Sequence, residues 1–391
     1  MTVNPISDLD YETNSTIESD NHFAYILCLI SGKGGAGKTG LAINISNMSS
    51  AYRRKILLID CDLNTTGSTV FFSLDKNTQK KLSSKSALTS QIIMNQITFN
   101  FTDDIKSKQE KSFAEKFERL MRDYSVISIN DFFDFIPAGN ESFLFNENDL
   151  NARNINFVES ELESFFAMIR TKYDLIIMDC GAGYNALINV LNKCADRICI
   201  VLVDNEISRL ATRNALSELL QNTDIKNIQC CVNMIKKDKN IQYSHIGLIN
   251  EVEGFTYSEK YARLFNKGKT IEIGDSDLCI QLTNIVKKLF PAGENIASEH
   301  LSFLDNLRKK ELEENEKMRK QIKRKQIKRI VITLVSVVMS LLILIIIFSA
   351  TGLWEVIHPF AYFCIVVAYI FVVILGCGFT KRIKEFFKNM S

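Results

Sequence analysis

Residues 31 to 40 read Ser-Gly-Lys-Gly-Gly-Ala-Gly-Lys-Thr-Gly. Gly32, Gly37, Lys38 and Thr39 fill the spacing G-x-x-x-x-G-K-[ST]. Glycines let a backbone turn its N–H groups toward a polyphosphate. A lysine at position 38 then reaches the terminal phosphates, and the Thr39 hydroxyl can bind Mg²⁺. Lys33 adds a second cation inside the loop. Carboxylates that could share such a site follow downstream. Asp60 and Asp62 lie two residues apart and point the same way along a strand. Asp179 ends a continuous apolar run and can hold Mg²⁺ through water. Asn233 offers both a donor and an acceptor, which suits the edge of an adenine.

These residues need elements to hold them. Phe23 to Ile30 is an apolar run of the kind found in buried parallel strands. Leu41 to Met48 has a helical pattern, so strand, loop and helix flank the glycine-rich segment in the order a phosphate site requires. Further strands are expected at Lys55 to Asp60, Phe132 to Ile136, Leu175 to Asp179, Arg197 to Val203 and residues 228 to 235. Helices are expected around Val158 to Arg170 and Ser276 to Phe290. Gly254 to Ile273 reads as loop-rich with basic and aromatic members. Strands alternating with helices imply an α/β fold with a doubly wound, mainly parallel sheet. Open sheets of this kind bind ligands at the carboxyl ends of their strands, where all of these carboxylates fall.

The segment Lys33-Gly34-Gly35-Ala36-Gly37-Lys38-Thr39 resembles the deviant Walker A motif of the MinD/ParA family of P-loop ATPases. Asp60-Cys61-Asp62 resembles that family's switch I, and Leu63-Asn64-Thr65-Thr66-Gly67-Ser68 the stretch after it. Phe135-Ile136-Pro137-Ala138-Gly139 is similar to a strand end common in MinD relatives. Tyr173 to Gly183 resembles a Walker B strand running into switch II, with Gly181 and Gly183 free to respond to the γ-phosphate. Val232-Asn233-Met234 is similar to the strand end whose Asn reads adenine. The resemblance covers about residues 23 to 290. It implies a P-loop NTPase that binds ATP and Mg²⁺, closes as an ATP-dependent homodimer and hydrolyses ATP.

The resemblance also implies roles. Lys33, Lys38 and Asp62 would be catalytic, with Lys33 reaching across the dimer to the partner's phosphates and Asp62 orienting the attacking water. Gly34, Gly35, Ala36, Gly37, Lys38, Thr39, Gly40 and Asn233 would bind the nucleotide. Thr39, Asp60 and Asp179 would organise the metal and its waters. Gly40 departs from the family pattern, which has Thr or Ser there. A hydroxyl at that place can support the α-phosphate, whereas glycine leaves only its N–H.

The chain has 391 residues, with 47 Lys and Arg against 45 Asp and Glu, so a net charge of +2 gives no overall preference for nucleic acid. Its 10 cysteines show no C-x-x-C and no regular spacing. They read as small buried residues in a reducing compartment, without a disulfide framework or a zinc site. Cys230 and Cys231 would face opposite sides of a strand. Residues 1–22 are polar and acidic, expected to be a disordered tail without a signal peptide. The stretch from 71 to 130 looks like an insertion rich in Lys, Ser, Asn and Gln, with a helical pattern at Phe113 to Tyr124.

Beyond the ATPase-like domain, residues 23–299, the composition changes. Residues 300–329 read as a charged helix whose end is basic, from Arg319 to Arg329. Uncharged runs follow at 330–350 and 356–379, with a basic tail at 380–391. Each run is long enough for a ~30 Å hydrocarbon core. Basic residues flank their outer ends and none lies between them, which predicts a two-helix transmembrane hairpin with both termini and the ATPase domain cytosolic. The basic stretch would attract anionic lipid at about 1 kcal/mol per residue near the surface. Nucleic acid stays open as a partner without being indicated.

The resulting expectation is a membrane-anchored, multi-pass ATPase that uses its nucleotide cycle to recruit an unidentified protein partner at the bilayer, in positioning, secretion-apparatus assembly or element maintenance. Two alternatives remain. One is a tyrosine autokinase of the polysaccharide-export type, disfavoured because the runs come last and residues 380–391 contain no Tyr. The other is a non-hydrolysing nucleotide-dependent membrane scaffold.

Overall fold

A computed structural model describes residues 23–83, 126–138, 152–235, 250–252, 254–274, 276–350 and 363. The expected N-terminal tail, the Phe113 to Tyr124 helix, Gly139, the run at 356–379 save residue 363, and the tail at 380–391 lie outside these residues. Two compact units divide between Asn306 and Leu307.

The first unit is built on an eight-stranded sheet of order β3-β4-β2-β5-β1-β6-β7-β8. Its strands are β1 (Tyr25–Ser31), β2 (Ile56–Cys61), β3 (Ile127–Asn130), β4 (Phe133–Ile136), β5 (Leu175–Ala182), β6 (Arg197–Val203), β7 (Ile228–Asn233) and β8 (Asn250–Val252). All neighbours pair in parallel except β3 with β4. The short antiparallel edge strand β3 falls inside the stretch expected to be an insertion.

Period-two alternation splits each central strand between two cores. Ile26, Cys28 and Ile30 of β1 join Ile176 and Met178 of β5 on one face. Leu27 and Leu29 join Ile177 on the other. The adjacent Cys230 and Cys231 are divided in the same way, as expected. The described cysteines are all buried, and none of them is in a disulfide.

Helices cover both faces. On the first lie α4 (Ala152–Ile169), α5 (Ala186–Cys194) and α6 (Glu206–Leu219). On the second lie α1 (Lys38–Ala51), α2 (Gly67–Ser73) and α8 (Asp277–Leu289). Two more helices flank α2 and α8 in sequence, α3 (Lys76–Ser83) and α7 (Glu259–Phe265). The latter lies within the segment expected to be loop-rich. A last helix, α9, runs from Gly293 to Ala350. Its opening turns belong to the first unit, where Ile296, His300 and Phe303 are buried and Tyr52 Oη lies 2.6 Å from His300 Nδ1.

The second unit contains the rest of α9, exposed almost throughout. Here the membrane expectation is corrected: among the described residues no helix is long and apolar enough to cross a membrane. The run at 330–350 is the end of a 58-residue helix whose preceding turns, from Arg308 to Arg329, are heavily charged. The multi-pass membrane localisation and the hairpin built on it therefore do not stand.

Candidate phosphate-binding site

β1 delivers the chain into the glycine-rich loop at the carboxyl edge of the sheet. Gly32 is needed at the entry, because a Cβ there would sit 2.4 Å from the Ala211 carbonyl carbon in α6. Gly35 and Gly37 hold φ of +77° and +87°, left-handed values that side chains resist. The loop then turns into α1.

The α1 N-terminus, like that of α2 at Thr66, carries no side-chain cap. Helices α5, α6, α7 and α8 each begin with an Asn or Ser whose side chain accepts from a first-turn N–H. The α1 helix begins at Gly37 with no side-chain cap and no acidic residue in its first turn. Its first N–H groups are thus left for an outside acceptor, and the helix dipole favours an anion there. They open on a cavity of about 570 Å³ lined by Gly34, Gly35, Gly37, Lys38, Thr39 and Gly40 on the loop side. Asp62 and Asn233 also line it, and Phe255, Tyr257, Tyr261 and Phe265 form the facing wall. Ala36 is buried under the loop.

Lys33 is exposed on the loop. Its carbonyl accepts from Ser31 Oγ at 2.8 Å, and no hydrogen bond or ion pair among the described residues engages its ammonium. Lys38 is buried, with 7% of its surface exposed.

Of the acidic residues, Asp62 lines the cavity and the other two do not. Asp60 and Asp179 are register partners on β2 and β5 and are both fully buried. The α2 helix holds the pair. Ser68 Oγ donates to Asp179 Oδ2 at 2.6 Å. Thr69 donates to Asp60 Oδ2 from its N–H at 2.8 Å and its hydroxyl at 2.7 Å. Asp62 N–H donates to the other oxygen of Asp60 at 3.2 Å. Both Asp60 oxygens are therefore occupied by protein donors.

Asp179 differs: its Oδ1 is buried without a well-formed hydrogen bond, and the Thr39 hydroxyl is the polar group that interacts with the carboxylate besides Ser68. Burial pushes its pKa up to about 6, against the pull of Ser68, Thr39 and Lys38. Burial, then the neighbouring Asp179, raises Asp60 well above the usual carboxylate range. A buried carboxylate oxygen beside a threonine hydroxyl of the phosphate loop fits a hydrated Mg²⁺. Thr39 and Asp179 could hold it, and Asp60 beside Asp179 fixes α2.

Asp62 accepts at Oδ1 from the N–H groups of Asn64 (3.2 Å) and Thr65 (3.0 Å), and at Oδ2 from Thr65 Oγ1. A Cβ on Gly181 would lie 3.6 Å from the same carboxylate, so switch I and the end of β5 meet at Asp62. Asn233 Nδ2 donates to Ala36 O at 2.8 Å, and its Oδ1 accepts from Met234 N–H at 2.8 Å. In this arrangement Asn233 braces the loop from β7 while lining the cavity.

Several contributors carry no sequence signal of their own. Ser68 and Thr69 end or follow the Leu63 to Ser68 stretch, and only the fold puts them on the two carboxylates. Gly67 belongs with them, since a Cβ there would lie 2.7 Å from Thr39 Oγ1. Tyr261 comes from a helix that the sequence did not announce.

A family model described as AAA domain (AAA_31) matches residues 24–237. Similar solved structures include a Borrelia burgdorferi plasmid partition protein bound to AMPPNP, 17% identical, with a TM-score of 0.52 over 68% of this chain and 97% of that one. They also include an ATP complex of a Cyanothece McdA variant, 16% identical, with a TM-score of 0.49 over 69% and 97% of the two chains. The Aquifex aeolicus MinC:MinD complex is 18% identical, with a TM-score of 0.45 over 72% and 96%. Identities this low bear on the fold, and only the first is close enough to carry it. No match was found among curated proteins.

Proposed function

This chain belongs to the AAA-domain family AAA_31, and we propose that it is a ParA/MinD-type ATPase that binds ATP with Mg²⁺, pairs with a second copy and hydrolyses the nucleotide to switch its hold on a protein partner. The observation that carries the reading is the uncapped N-terminus of α1. It faces a cavity of nucleotide size, with Lys38 at its edge and the buried Asp179 carboxylate beside Thr39. The fold neighbour solved with AMPPNP supports the same ligand.

In this reading the loop N–H groups and Lys38 hold the phosphates. Thr39 and Asp179 hold the metal, which when bound neutralises charge on the β- and γ-phosphates. Asp62 orients the attacking water and takes up its proton. The exposed Lys33 reaches the partner protomer's phosphates, where added positive charge stabilises the transferring group. Gly181 and Gly183 let the end of β5 follow the γ-phosphate and pass its presence to the surface that meets the partner protein. Asn233 holds the loop in its binding form.

Phosphate release and nucleotide titration on the purified chain test this directly. Wild type should bind ATP and release phosphate, and Lys38→Ala should lose both. Binding that survives Lys38→Ala unchanged would remove the reading.

A further inference from the structure

Asn44, on α1, is buried and joins three segments. Its Oδ1 accepts from Ile271 N–H at 2.8 Å. That bond fixes which way the amide faces. Nδ2 therefore serves both remaining contacts, to Gly40 O at 2.5 Å and to Tyr261 Oη. An amide nitrogen offers hydrogens and no lone pair, so the Tyr261 oxygen is the acceptor in that pair. Its own proton must point elsewhere, and no acceptor for it exists among the described residues. Burial raises the phenol's pKa, which keeps that proton in place. The same oxygen stands 3.4 Å from where a Cβ on Gly40 would be. Both residues line the cavity at the α1 N-terminus.

We propose that Tyr261 donates a hydrogen bond to the phosphate nearest the sugar of a bound nucleoside di- or triphosphate, supplying from α7 the hydroxyl that Gly40 lacks. This deepens the ATPase reading and rests on it. Lys38 and Thr39 take the terminal phosphates, and residue 40 follows them on the first turn of α1, beside the next phosphate along. A phenol that already accepts from an amide is oriented before the ligand arrives. Its bond to an anionic oxygen is charge-assisted. ADP and ATP share the phosphate concerned, so the contact serves both equally.

The test is calorimetric titration of the full chain with ADP and with AMPPNP, each with Mg²⁺, for Tyr261→Phe, Gly40→Ser, the double variant and Lys38→Ala. Circular dichroism reports whether each variant is folded. Tyr261→Phe should weaken both ligands alike by about tenfold or more, as loss of a hydrogen bond to a charged group does. Gly40→Ser should restore most of that loss in the Tyr261→Phe background and give a smaller gain, or none, in wild type. Folded Tyr261→Phe that binds within about twofold of wild type, or a serine effect equal in both backgrounds, overturns the proposal. If Lys38→Ala loses binding while Tyr261→Phe does not, only the role of Tyr261 falls. If Lys38→Ala binds as wild type does, the nucleotide reading falls and takes this one with it.

Discussion

Asp62 carries two duties in one carboxylate. It closes the turn through Asn64 and Thr65, and it lies against Gly181 at the end of β5. Asparagine keeps the turn-closing oxygen but takes up no proton. Asp62→Asn should therefore retain ATP affinity while kcat drops about 10²- to 10⁴-fold, the usual contribution of a positioned proton acceptor. Steady-state phosphate release together with equilibrium binding checks this; an unchanged kcat would give the role to another group. The two buried carboxylates predict a pH effect in the metal-free protein. Asp179 has a folded-state pKa of about 6 against an ordinary value of 3.8, and Asp60 is raised in the same direction. The folded state then binds more protons than the unfolded state between those limits. Stability is highest below about 3.8 as far as these groups are concerned and falls as pH rises through about 6. Urea titrations in EDTA at about pH 5 and about pH 7 should show this loss, and it should shrink when Asp179 is replaced by Asn. The positions of these carboxylates were legible in the sequence because each ends an apolar run. Their hydrogen-bond partners were not. Thr69 meets Asp60, and Ser68 meets Asp179 across 111 positions of chain, so no local spacing could announce either role.

At the scale of elements, α2 is the part that ties the site together. It is short, begins at Thr66 in a left-handed conformation without a side-chain cap, and touches β2, β5 and the loop after β4. Thr69 Oγ1 donates to Asp60 and accepts from Ala138 N–H at 2.9 Å. Valine has the same shape without either bond. Thr69→Val should cost about 1–3 kcal/mol, the expense of leaving buried polar groups unpaired. The urea midpoint should fall with its slope unchanged. A midpoint equal to wild type would mean that α2 does not hold Asp60. The main strands and the helices α1, α4 and α8 were legible as apolar runs and helical patterns. Other elements were not, β3 and α7 among them. The edge strand β3 is only four residues long, within polar sequence. The helix α7 is seven residues long. Its aromatic residues look like loop punctuation until Phe71 stacks on Phe265, with ring centroids 4.6 Å apart, and Asn44 meets Tyr261 from 217 positions away. The family-like motifs marked the phosphate side of the cavity, while its aromatic wall was set by tertiary packing.

At the scale of the molecule, the charged and apolar composition after residue 300 suggested a membrane hairpin, and the structure places the first of those runs at the end of one long helix instead. Window composition alone reports apolarity; it does not report where a helix begins. What remains is a doubly wound ATPase-type unit with an exposed lysine on its phosphate loop, whose ammonium no described residue of the same copy engages. In the proposed cycle two copies close over two nucleotides, each supplying Lys33 to the other. Sedimentation of the full chain with Mg²⁺ and either ATP or ADP, using Asp62→Asn to slow cleavage, reads that closure as a change in mass. The mass should double with ATP alone, and phosphate release by otherwise wild-type protein should be lost in Lys33→Ala. A mass that is the same with ATP and ADP, together with undiminished phosphate release by Lys33→Ala, is incompatible with a lysine shared between copies.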